Sequence, residues 1–185
     1  MTFISRRNFT LSALVTTTLS ACSNGIGSSG ASVIDSRADN TLSFMYGNYP
    51  GTNDLAGKSS GMLIMPVVTE AGFGIGGSYG RGVLRIGQTT VDYYSTTAAS
   101  AGLQIGAQQY STVLFFMTQE SLTDFRSASG WAVGADIEYA LNSTGETLRA
   151  ETTTSLAPII AVVFAQAGFR AGATIEGTKY SRIIP

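Results

Sequence analysis

The chain has 185 residues, 44% of them hydrophobic and only 12% charged, with 22 glycines and a formal net charge of −1. That length suits one domain with a core of ordinary size, and the charged share is about half the usual one, which fits a β-rich extracytoplasmic protein better than a helical cytosolic one. With no histidine and a single cysteine at position 22, the body of the fold is excluded from Cys- or His-based metal sites, thiol catalysis and Ser-His-Asp chemistry.

Residues 1–21 read as an export signal. Ser5-Arg6-Arg7-Asn8-Phe9 supplies a charged start, and the apolar stretch from Phe9 to Leu19 is too short to span a bilayer. Leu19-Ser20-Ala21-Cys22 closes it with small residues. The segment resembles a bacterial lipoprotein signal of the twin-arginine type, although Leu11 stands where that pattern often has Lys. By that resemblance Cys22 becomes the acylated N-terminus, and two or more acyl chains anchor a protein stably without a spanning helix. By the same resemblance, Ser23 rather than Asp at the next position implies the outer membrane, facing the periplasm.

Residues 22–38, rich in Ser, Gly and Asn, read as a flexible tether, whose coil would reach on the order of 20–25 Å. Removal of Arg6 and Arg7 with the signal leaves nine basic against twelve acidic residues, a net charge of −3. A mildly acidic body argues against non-specific nucleic-acid binding.

The domain proper is expected over residues 39–185. Leu42, Met45, Tyr46, Tyr49 and Leu55 recur at helical spacing, broken at Pro50-Gly51, which predicts a helix and a short second one. Gly61 to Pro66 reads as a buried strand stopped by its proline. Gly80 to Ile86, a Gly87-Gln88 turn, Thr90 to Ser95 and then Tyr110 to Phe116 predict antiparallel strands. Thr118 can cap a helix that carries Glu120, Leu122 and Phe125 and ends by Gly130. A strand over Trp131 to Tyr139, a loop around Gly145, a buried strand from Ile159 to Ala165 and a last one near Ile175 to Tyr180 complete the pass.

Four copies of one heptad punctuate these strands, beginning at Ala71, Ala101, Ser129 and Ala167. Each runs small, Gly, apolar, any, apolar, Gly, then Gly or Ala. In an extended chain the apolar pair takes one face and the glycines the other, a pattern suited to close approach of main chains. Gly72-Phe73-Gly74-Ile75-Gly76-Gly77 formally fits a dinucleotide fingerprint, but a strand rather than a helix follows, so close packing is the better account.

Gly72 to Gly82, Tyr93-Tyr94, Gly102-Leu103-Gln104-Ile105-Gly106-Ala107-Gln108, Phe116-Met117-Thr118, Ser129-Gly130-Trp131 and Glu176-Gly177-Thr178-Lys179 together resemble the SYLF domain, over about Leu42 to Ile183. The resemblance implies binding of membrane lipids. Eukaryotic members carry a basic amphipathic segment ahead of the domain, a place taken here by the signal and tether. Phosphoinositide specificity and actin binding are therefore not carried over.

Candidate lipid-phosphate ligands are Arg81 and Arg85, four apart on one strand face, with Lys179 and Arg182 near the C-terminus; the same residues read equally as solvated edge charges. Gln104 and Arg170, at the variable centres of two heptads, would line a cavity on the glycine face. Asp136 and Glu138 share a strand face and Glu176 sits in the SYLF-like motif, but no metal or cofactor is called for. The expectation is an α+β, antiparallel β-rich single domain, a meander or barrel-like, with an N-terminal helix and one further helix near 118–127. Its expected function is non-catalytic binding of lipid or membrane in the bacterial cell envelope. The alternatives are a scaffold lipoprotein docking a protein partner through its Gly-rich face, and a hydrolase using the carboxylates.

Overall fold

Ile34, Ala38, Leu42 and Met45 recur every three or four residues, and their burial turns one face of helix α1 (Gly30–Asn48) onto the sheet. The computed structural model describes residues 29–132, 137–140, 157–164 and 177–185, with the backbone alone for 73–75, 100–106 and 137–140. Residues 30–38, expected to belong to the tether, instead form the first turns of α1. Packing of Ile34 and Ala38 outweighs the weak helix propensity of the Ser- and Gly-rich sequence. After Tyr49 and Pro50 comes α2 (Gly51–Lys58), which buries Thr52 and Leu55.

Strands β1 (Gly61–Ile86) and β2 (Thr89–Phe116) form one long antiparallel hairpin, closed by Gly87-Gln88 with Gly87 at φ +60°. Pro66 does not stop β1 as predicted. The register shifts between Met65 and Val68, so the proline falls in a bulge where no ladder donor is required, and its carbonyl accepts the Ser111 hydroxyl at 2.7 Å. The first two heptads are extended and face each other: Ala71 pairs with Ala107, Gly72 with Gly106 and Gly74 with Gly102.

The hairpin also doubles back on itself. A Cβ added at Gly80 would lie 2.8 Å from the Val67 carbonyl oxygen, one at Gly61 would lie 3.2 Å from that of Arg85, and one at Gly82 would collide with that of Ile64. The second half of β1 is thus pressed against the first, main chain to main chain. Beyond the hairpin, β6 (Lys179–Ile183) pairs with β2 at 93–97, and β5 (Ile159–Phe164) pairs with β2 at 111–116.

The short strands β3 (Trp131–Ala132) and β4 (Ile137–Ala140) edge the sheet, in the order β3-β6-β2-β5-β4. The strand expected over Trp131 to Tyr139 is therefore two strands at opposite ends of that order. Five peptide steps join Ala132 to Ile137, so the two edges lie within roughly 18 Å of each other. The sheet is curled, as the barrel-like expectation had it. One pairing departs from the antiparallel rule, since β4 runs parallel to β5, with residues 141–158 as the crossover that such a pair needs.

The curl has two apolar faces. Its inner core joins Leu63, Leu84, Tyr94, Leu114 and Ile159 to Leu122 and Phe125 of α3 (Gln119–Ser127). Thr118 caps α3 as predicted, its hydroxyl accepting from the Ser121 amide at 3.1 Å, although the helix stops at Ser127, short of Gly130. Phe125 lies at 4.8 Å from Tyr94, 4.9 Å from Phe116 and 5.3 Å from Trp131, ring centre to ring centre. The outer core joins α1 and α2 to Met62, Ile64, Val83, Phe115 and Val162. Phe44 stacks on Phe164 at 5.9 Å. All six residues of β5 are buried, because it is covered on both faces.

Candidate functional site

Alternation along the second half of β1 sends Tyr79, Arg81, Val83 and Arg85 to the α1 side. They meet two environments there. Val83 and Arg85 lie under the body of α1, whereas Tyr79 and Arg81 border a cleft of about 410 Å³ at the start of the helix. The cleft takes Ser29, the residue before α1, and from the helix Gly30, Val33, Ile34 and Arg37, which share one helical face at successive turns. Thr69 and Gln109 complete its polar lining, the amide of Gln109 donating to the Thr69 hydroxyl at 3.2 Å. Val33 is 45% exposed and Tyr79 54%, two large apolar surfaces at the rim of a cleft with two guanidinium groups. No Asp or Glu among the described residues lines it.

Arg85 is not available to an outside phosphate. Its guanidinium contacts the Asp39 carboxylate at 2.6 Å and that of Asp35 at 3.7 Å, and its side chain is only 11% exposed. Asp35 also accepts from the Thr90 hydroxyl and the Tyr93 phenol, each at 2.8 Å. Burial first, then the hydrogen bond to Asp35 and the charge of that carboxylate, push the Tyr93 phenol up to about 12, against the lowering effect of Arg85. This network clamps α1 to the end of the hairpin. Arg81 and Arg85 do share a strand face, yet only Arg81 reaches the cleft.

Arg182 is likewise engaged. It contacts Asp92 at 3.3 Å, alongside Arg126 at 3.2 Å from the same carboxylate, and its guanidinium lies 6.0 Å from the centre of the Tyr94 ring. Lys179 is exposed on β6, beside Gly130 and away from the cleft. Gln104 falls with Leu103 in a break of the β1–β2 register, where Phe73 pairs with Ile105 and Gly74 with Gly102. Cys22, Asp136, Arg170 and Glu176 lie outside the described residues, as do the side chain of Glu138, the fourth heptad and the later half of the third. Among the described residues, no three metal-ligating side chains gather, and no helix is long and apolar enough to cross a membrane.

The sequence reading missed Val33, Arg37 and Tyr79. The first two fall within the residues expected to form the tether. The signal that would have found them is Ile34-x-x-x-Ala38 in phase with Leu42 and Met45, which carries the helix back past Arg37.

Residues 97–182 match the family model described as Ysc84, Las17-binding protein actin regulator. The SYLF resemblance is borne out over that segment. It is a family of binding domains, not an enzyme class. No curated protein matches the chain. The SYLF match takes in β2 from Thr97, α3, β3 to β5 and most of β6, a narrower span than the motifs from Leu42 onward suggested. Of the cleft's lining only Gln109 lies inside the SYLF match, so Arg37, Tyr79 and Arg81 belong to the part of the fold that precedes it.

Proposed function

We propose that this protein is a non-catalytic lipid- or membrane-surface-binding domain of the bacterial cell envelope, held by acyl chains on Cys22 at the periplasmic side of the outer membrane. The observation that carries the reading is the pairing of exposed Val33 and Tyr79 with Arg37 and Arg81 around one cleft. Apolar tips beside guanidinium groups suit the boundary between acyl chains and phosphates. Ser29 lines the same cleft, and seven peptide steps separate it from Cys22, a reach of at most about 25 Å. An anchor at Cys22 would therefore keep the cleft beside the lipid surface.

The test is co-sedimentation of residues 23–185, which lack the anchor, with vesicles of bacterial phospholipids. Binding is expected, and the Val33→Ser, Tyr79→Ser double variant should lower partitioning about tenfold, the equivalent of ~1.4 kcal/mol of lost apolar burial. Absence of binding to every mixture would defeat the proposal. Anchoring is tested separately: Cys22→Ala should abolish acyl labelling of the chain, and normal labelling of that variant would defeat the anchor.

A further inference from the structure

We infer that Ile26 folds back into the cleft at the start of α1 and covers Val33 and Tyr79, so that the segment leading from Cys22 into the domain is latched against it. Four large apolar side chains stay exposed among the described residues, Val33, Tyr79, Ile86 and Ile184, and two of the four border this one cleft. Ile34, Pro66 and Val67 continue its apolar wall.

The helix start calls for an apolar partner at this place. Ser29 is the N-cap, and the Val33 amide donates to its carbonyl at 3.1 Å, which makes Val33 the fourth residue of α1. A residue there commonly packs against an apolar residue just ahead of the cap, fixing the angle at which the chain enters the helix. Here the residue ahead of the cap is Ser28, and the only large apolar side chain between Cys22 and Ser29 is Ile26. Three peptide steps join Ile26 to Ser29, a reach of at most about 11 Å, and Ser29 itself lines the cleft. So short a connection holds Ile26 at high local concentration beside the cleft, whereas a second copy of the chain must arrive by diffusion. Gly25 and Gly27 on either side of Ile26 let the chain reverse without a Cβ in the way.

The latch stands on the cleft and the leading segment alone; its consequence rests on the membrane-binding reading. With Ile26 seated, Val33 and Tyr79 are withheld from lipid. Four peptide steps rather than seven then remain between Cys22 and the domain, which shortens the reach of an anchor there to at most about 14 Å.

The test is NMR on residues 23–185, with vesicle co-sedimentation as a second arm. Expected are nuclear Overhauser contacts from the Ile26 methyls to the Tyr79 ring and the Val33 methyls, and amide shifts at Val33, Gly80 and Gln109 on Ile26→Ser. Ile26→Leu, which keeps the apolar bulk, should leave those amides near their wild-type positions, as should Ser23→Ala. In the second arm Ile26→Ser should bind bacterial phospholipid vesicles about threefold more strongly, as follows when the wild-type surface is free only about a third of the time. Absence of the contacts, with unchanged amides in Ile26→Ser, would overturn the latch and leave the membrane reading standing. Contacts that grow with protein concentration would overturn it too, assigning the cleft to a second copy. Contacts within one molecule that binds no vesicle would establish the latch and end the membrane reading.

Discussion

At Gly82 the absence of a side chain is a structural requirement rather than a matter of backbone flexibility. A Cβ there would run into the Ile64 carbonyl and the Met65 sulfur, and the carbonyl belongs to main chain that cannot swing aside. Gly82→Ala is expected to destabilise the fold by about 1–3 kcal/mol or more, as overpacking does in a closed core. Gly47 is the control. It lies in α1 with nothing within 4 Å of an added Cβ, so Gly47→Ala should be neutral to stabilising by up to about 1 kcal/mol. Urea midpoints of the two variants check both statements. Equal midpoints would mean that the two halves of β1 do not touch.

The elements were legible to the degree that burial is periodic along the chain. Leu42 and Met45 announce α1, Thr118 announces α3, and the unbroken apolar run at Ile159 announces β5. Pro66 misled because a proline in isolation reads as a stop, whereas the bulge that accommodates it is a property of the partner strand. How α1 is fastened to the hairpin was not legible at all, since Asp35 and Tyr93 are 58 positions apart.

That fastening has a pH signature. The Tyr93 phenol is held protonated to about 12 in the fold, above its ordinary value of 10. A raised value of this kind means stability that is whole below pH 10 and is lost as pH rises towards 12. The unfolding midpoint of the wild-type protein should fall over that interval, and Tyr93→Phe should flatten the part of the decline due to this group. An identical alkaline decline in both proteins would count against the clamp.

For the molecule as a whole, β1 is the partner of β2 along nearly its entire length and contributes to both cores. The segment 97–182 that matches the SYLF family lacks β1, α1 and α2. Expressed alone, it is expected to show no dispersed amide spectrum, while residues 29–185 fold cooperatively. Independent folding of the shorter piece would mean that the hairpin is an appendage to the domain and not its frame.

The sequence by itself determined the strand-rich class, the extended course of the first two glycine heptads, the helix near residue 120 and the lack of histidine and cysteine chemistry in the body. These follow from composition and from short-range alternation, which are local properties. Only the tertiary structure decided that Arg85 and Arg182 sit against carboxylates, and that the hairpin turns back so that Gly80 and Gly82 meet the main chain of Ile64 to Val67. What a charge on a strand can do depends on the group that the fold sets beside it. Which neighbour it receives is set by chain segments tens of residues away.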